Sequence, residues 1–105
     1  MSDDLIEIPK PPSGVCPRAK KLWAELWENF DFPEHKREVL VEACHALTRA
    51  DEARRLLKKE GMIQVDRFEQ KKPHPAVMIE HNARTQFARL INALGLPEEV
   101  EDDGF

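Results

Sequence analysis

From Ala19 onward the apolar positions fall three and four residues apart, at Ala19, Leu22, Trp23, Leu26, Trp27 and Phe30, as one face of an α-helix does. Pro17 suits a first helical turn, where the N–H it lacks would have no partner. A first helix is expected over residues 17–30. Asp31-Phe32-Pro33 then restarts the pattern, with Glu34 at the positive end of the next helix dipole. No Gly or Pro follows until Gly61, placed as a left-handed C-terminal cap, so the second helix should hold roughly 28 residues and span about 42 Å. Its first half is apolar over a wide arc, at Val39, Leu40, Val41, Ala43, Cys44, Ala46 and Leu47. One neighbouring helix covers less than that, which points to a second subunit against Val39, Val41, Cys44 and Ala46.

Beyond Gly61 the period changes. Met62-Ile63-Gln64-Val65 favours extended backbone, Asp66-Arg67-Phe68-Glu69 a turn, and Gln70 to Lys72 a returning strand. Such a pair is marginal unless packed on a helix. Gln70-Lys71-Lys72-Pro73-His74-Pro75-Ala76 is a proline-locked turn into a third helix, which His74 should cap. Ala76, Ile79, Ala83, Phe87, Leu90 and Leu94 share one face of that helix, and Gly95 follows its last turn. The expected fold is mainly α: a three-helix protomer with a long central helix, a short β-hairpin-like connection and flexible termini. Its core should hold Leu22, Trp23, Leu26, Leu40, Leu47, Ile79, Phe87 and Leu90. Residues 1–15, with Pro9, Pro11, Pro12, Ser13 and Gly14, read as a flexible N-terminal arm without its own core, 16–96 as the helical oligomerisation domain, and 97–105 as an acidic C-terminal tail.

At 105 residues the chain fits one domain, burying only about 60 to 70% of its extended surface, and self-association is one way to bury more. Met1 to Pro9 is acidic without an apolar run, and no stretch approaches the roughly 18 apolar residues of a membrane span, so a soluble intracellular protein is expected. Cys16 and Cys44 stand far apart and read as reduced small residues. The net charge of −4 hides a segregation: Asp3, Asp4 and Glu7 lie at the start and Glu98, Glu99, Glu101, Asp102 and Asp103 at the end. Without those eight, 16 basic residues face 12 acidic ones between Lys10 and Gly95, a surplus of four. Clustered charge determines the local field.

The basic residues concentrate between Arg54 and Lys72. Arg54, Arg55, Lys58 and Lys59 make two i,i+4 pairs of like charge, which cost a few tenths of a kcal/mol each on a bare helix and which phosphates would repay. Favourable placement near the helix C-terminus, and pairing of Asp51 with Arg54 or Arg55, is the bland alternative. Arg67, Lys71 and Lys72 follow closely, making seven basic residues against Glu60, Asp66 and Glu69. Contacts from such residues to phosphates give affinity without sequence information. Trp23 and Trp27 have the spacing to stack on bases, but their agreement with Leu22, Leu26 and Phe30 favours core packing. His35, His45, His74 and His81 lack the spacing of a metal site, and with four glycines there is no phosphate-cradling loop, nor any nucleophile motif. No metal, cofactor or catalytic residue is assigned, and the chain does not read as an enzyme.

The order of features adds a family likeness. Ala19-Lys20-Lys21-Leu22-Trp23 with Leu26, then Ala50-Asp51-Glu52-Ala53 in a long helix, then Glu60-Gly61-Met62, Asp66-Arg67-Phe68, Lys72-Pro73-His74-Pro75-Ala76 and Leu94-Gly95-Leu96 together resemble a phage terminase small subunit over roughly residues 10–97. That resemblance implies a role in packaging double-stranded viral DNA in the host cell cytoplasm, as a ring-shaped homo-oligomer that regulates a separate large terminase subunit carrying ATPase and nuclease. Two departures stand out: the chain turns acidic soon after Leu96, where many relatives continue with a Pro- and Arg-containing segment, and no helix-turn-helix domain precedes the first helix. DNA contacts are expected from Arg54, Arg55, Lys58, Lys59, Arg67, Lys71 and Lys72. The competing class is a helical protein–protein adaptor that never touches DNA; a small metal-dependent nuclease comes third, for want of a carboxylate and histidine cluster.

Overall fold

The computed structural model describes residues 8–97; the acidic tail from residue 98 and the first seven residues of the arm lie outside the described residues. Helix α1 runs Pro17–Asn29, α2 Glu34–Glu60 and α3 Pro75–Ala93, with strands β1 Ile63–Val65 and β2 Lys71–Pro73 between α2 and α3. The strands pair antiparallel, Ile63 opposite Pro73, Gln64 opposite Lys72 and Val65 opposite Lys71. This is the expected mainly α protomer with its hairpin, the second strand starting one residue later than the sequence pattern suggests.

Helix α2 is the spine. Along one side α3 accompanies it from end to end: Lys36 Nζ donates to the carbonyls of Ala93 and Leu94 at one extreme, and at the other His74 bonds Glu60. Small residues form that seam. Ala43, Ala46, Ala50 and Ala53 recur at three- and four-residue spacing on α2 and are buried, and Ala76 and Ala83 are buried on α3. With little more than methyl groups between them, the two backbones can pack closely.

Along a second side of α2 lies α1, which packs only on the first half. Leu40, Cys44 and Leu47 are buried there with Ala19 and Trp23, and Leu22, Leu26, Trp27 and Phe32 pack around them. The Thr48 hydroxyl, buried between the helices, donates to the Cys44 carbonyl and accepts from the Cys16 N–H at 2.9 Å. One side chain thereby satisfies a free donor at the start of α1 and fixes where α1 begins along α2. Asp51 reinforces this point through Arg18 at 3.2 Å rather than through Arg54 or Arg55. At the end of the arm Val15, with Cys16 just before α1, joins the core, and the Pro9 carbonyl accepts from Trp23 Nε1 at 2.7 Å. Cys16 and Cys44 are free thiols, and burial, with Cys16 nearby, pushes Cys44 up to about 11, so it stays protonated at neutral pH.

Two expectations are corrected. Ile79 is 51% exposed instead of core, because the inward face of α3 is set by Ala76, Ala83, Phe87, Ile91 and Leu94. Gly61 takes a φ of +85°, as glycine readily does, but its ψ of 161° sends the chain straight into β1 instead of curling it as a left-handed cap.

Two substitutions test this packing. Trp23→Ala should lower stability by about 3 to 5 kcal/mol in chemical denaturation, since the ring is enclosed and its N–H is bonded. Ala46→Leu should cost about 1 to 3 kcal/mol by overfilling the α2–α3 seam. A change of particle mass with an unaltered unfolding midpoint would instead place Ala46 between subunits.

Candidate nucleic-acid interface

The basic residues of α2 arise where α1 stops. The row of α2 positions that is apolar beneath α1, through Cys44 and Leu47 to Thr48, continues in helical steps as Asp51, Arg55 and Lys58. Past Asp51 no other helix among the described residues lies over that row, and Arg55 and Lys58 are exposed. Arg54 and Lys59 flank it. The over-wide apolar arc of the sequence is explained by two neighbours from the same chain. Of the four residues expected between subunits, Cys44 and Ala46 are fully enclosed in the protomer, while Val39 and Val41 are half-buried and pack against its core.

The hairpin brings the remaining three cations to the same end. Its tip is a tight turn: Asp66 N–H donates to the Gln70 carbonyl at 3.0 Å, and Asp66 Oδ1 accepts from the N–H groups of Phe68 at 2.8 Å and Gln70 at 2.9 Å. Glu69 sits at φ +62°, the left-handed position of a short hairpin loop, where glycine is usual. Arg67 lies over the Phe68 ring, its Cζ 5.1 Å from the centroid. Lys71 and Lys72 point to opposite faces of β2, as alternation requires.

At the hairpin's base His74 locks three elements together. Its ring Nδ1 accepts from Ala76 N–H at 3.0 Å, capping α3 as expected, so the ring proton sits on Nε2 and is donated to Glu60 Oε1 at 2.8 Å. The His74 N–H also donates to the Met62 carbonyl at 2.8 Å, extending the ladder one step past Pro73.

The seven cations differ in freedom. Arg54 pairs with Glu80 Oε2 at 3.1 Å, an oxygen that Arg84 also reaches at 2.8 Å, and Lys72 Nζ lies 3.3 Å from Asp66 Oδ2. Arg55, Lys58, Lys59 and Lys71 are exposed, and among the described residues no carboxylate pairs with them. Apolar groups share this end: Leu56, Met62, Ile63, Val65, Phe68, Met78 and Ile79 are all exposed. Sequence reasoning misses Glu80 and Asp66 as carboxylates that tie up two of these cations. The i,i+4 spacing of Glu80 and Arg84 is the available signal for the first.

A small helical protomer with cations and apolar side chains gathered at one end, its grooves open and lined by residues such as Arg54, Leu57, Lys58 and Met62, has the build of a binding module. No cluster of three metal-holding side chains occurs among the described residues, and no described helix is long and apolar enough to cross a membrane. The chain belongs to the phage terminase small-subunit family, whose model matches residues 19–99. No curated protein and no solved structure matches it. Small subunits of that family are generally non-catalytic, the ATPase residing in the large subunit.

The turn makes a pH prediction. Hydrogen bonds from Gln70 and Phe68 N–H, with Lys72 beside them, hold the Asp66 carboxyl below its ordinary value of 3.8. A depressed folded-state value stabilises the turn above the unfolded value and loses that contribution as pH falls through the folded one. A carboxyl-detected NMR titration should give an Asp66 midpoint below 3.8, and Lys72→Ala should move it up, since a nearby cation is removed.

Proposed function

We infer that this chain acts in phage DNA packaging as a small terminase subunit that binds double-stranded viral DNA, assembles as a ring-shaped homo-oligomer and regulates the large-subunit motor in the host cell cytoplasm. Family membership supports the general role. The observation that carries DNA binding is the group of five exposed cations without carboxylate partners among the described residues, Arg55, Lys58, Lys59, Arg67 and Lys71, at the one end where α2 runs on beyond α1. Arg54 and Lys72 contribute less, because each must give up an acidic partner, while Arg67 acts from the turn. These contacts address phosphates and fix position without reading sequence.

Self-association would use what the protomer leaves uncovered. Besides Phe68 at the tip, Leu56, Met62, Ile63, Val65, Met78 and Ile79 are large apolar side chains exposed near the hairpin, and a second copy is the reading that best accounts for them. Several copies around one duplex would sum weak contacts into useful affinity, and closure into a ring ends growth that an open head-to-tail contact would continue into fibres.

Duplex binding measured at several salt concentrations tests the reading. The wild-type slope of log affinity against log salt should be steep, and replacing Arg55, Lys58, Lys59 and Lys71 with Ala should reduce it by about 1 for each phosphate no longer neutralised. Native mass and helicity should stay unchanged. Equal affinity and slope before and after would exclude these residues, and no DNA binding by either protein would favour the adaptor class. A monomeric native mass at micromolar concentration would remove the ring.

A further inference from the structure

We propose that the hairpin tip is a DNA wedge, with Phe68 entering between two base pairs from the minor groove while Arg67 and Lys71 hold the flanking phosphates. This rests on the DNA-binding reading above and adds a deformation of the duplex to it.

The first observation is the setting of Phe68. It is 70% exposed, at the outermost turn of a ribbon whose residues are exposed on both strands. Its immediate chain neighbours are Asp66, Arg67, Glu69, Gln70 and Lys71, all polar. Ile63 and Val65 are exposed further down the ribbon, but at the turn itself Phe68 is the one apolar residue among Asp66, Arg67, Glu69 and Gln70. An apolar side chain at the apex of a projection that also carries Arg67, Lys71 and Lys72 matches what minor-groove proteins insert to unstack a base step.

Rigidity is the second observation. An exposed ring on a loose loop would lose conformational entropy on insertion. Here the Asp66 carboxylate receives two backbone N–H groups and the Lys72 ammonium, and the Asp66 and Gln70 backbones close the loop. Glu69 is held in a left-handed conformation unfavourable for a non-glycine residue, a constraint the rest of the turn must sustain. The base is equally fixed, because His74 ties the hairpin to α2 through Glu60 and to α3 through Ala76. A wedge must transmit force to the body behind it, and this turn is braced to do so.

Charge supplies the third. Arg67 already lies over the Phe68 ring, so the tip carries a guanidinium next to its apolar group. On insertion Arg67 can swing to a phosphate beside the opened step while the ring exchanges a cation for base faces. Lys71 stands on the ribbon face shared with Ile63, Val65 and Pro73, facing the groove wall.

The test is a fluorescence-transfer measurement of end-to-end distance in a duplex of about 30 base pairs, made with the full chain. Native mass and helicity are checked first. Wild type should shorten the distance. Phe68→Ala should abolish most of the shortening and weaken binding about tenfold, the effect expected for one stacked aromatic, while Phe68→Leu keeps part of both as a smaller wedge. A 2-aminopurine base at the opened step should brighten with wild type and stay dark with Phe68→Ala. Retained DNA binding with unchanged bending in Phe68→Ala overturns the wedge alone. A Phe68→Ala chain whose native mass falls shows the ring to be a contact between protein copies, which also overturns it. If wild type fails to bind duplex DNA, the underlying reading fails as well, an outcome distinct from the other two.

Discussion

The constraint on which the molecule depends is the run of small buried residues along one side of α2. Because Ala43, Ala46, Ala50 and Ala53 line one side of α2 and Ala76 and Ala83 are buried on α3, the 19-residue α3 can lie closely along most of the 27-residue α2. A larger residue at any of these positions would separate the helices and displace the contacts at both ends, Lys36 with the α3 carbonyls and His74 with Glu60. A long isolated helix has little stability of its own. The seam gives α2 a continuous partner, and this rigidity carries the hairpin out beyond α1.

Helix α1 supplies the asymmetry. It is less than half as long as α2 and is registered by Thr48 and Asp51 near the middle of the spine. Half of α2 is thereby covered on two sides and half on one. The covered half contains the large buried residues, Trp23, Leu40 and Leu47; the other displays cations and apolar side chains to solvent. The division between a densely packed end and an exposed, cation-bearing end follows from where a single short helix begins.

Most of the fold is legible in the sequence because it rests on local signals. Pro17, Pro33 and Pro75 open the three helices, Gly61 and Gly95 follow the second and third, and apolar spacing names most of the core. Legibility ends where a residue's role depends on a partner distant in the chain. The wide arc on α2 looks like surplus because one sequence window cannot show that α1 and α3 approach it from two directions. Alanines count there as generic apolar residues, and their value as spacers emerges only with a helix opposite. At the hairpin end the cations are visible in the sequence, but their inequality is not: Glu80 is 26 positions from Arg54, and Asp66 reaches Lys72 only because the chain turns back between them. Phe68 looks like any apolar residue in a turn until its exposure is known.

The uneven burial along α2 also divides the molecule in time. The α1 end, with its large enclosed side chains and the Thr48 bonds, should open only with global unfolding. The hairpin end, where alanines are the main buried groups and both strands are exposed, has far less to lose from a local opening. Its amides can exchange with solvent while those beneath α1 remain protected. Amide exchange therefore separates the two ends: protection at the hairpin reports on that element alone, and protection beneath α1 on the stability of the whole body.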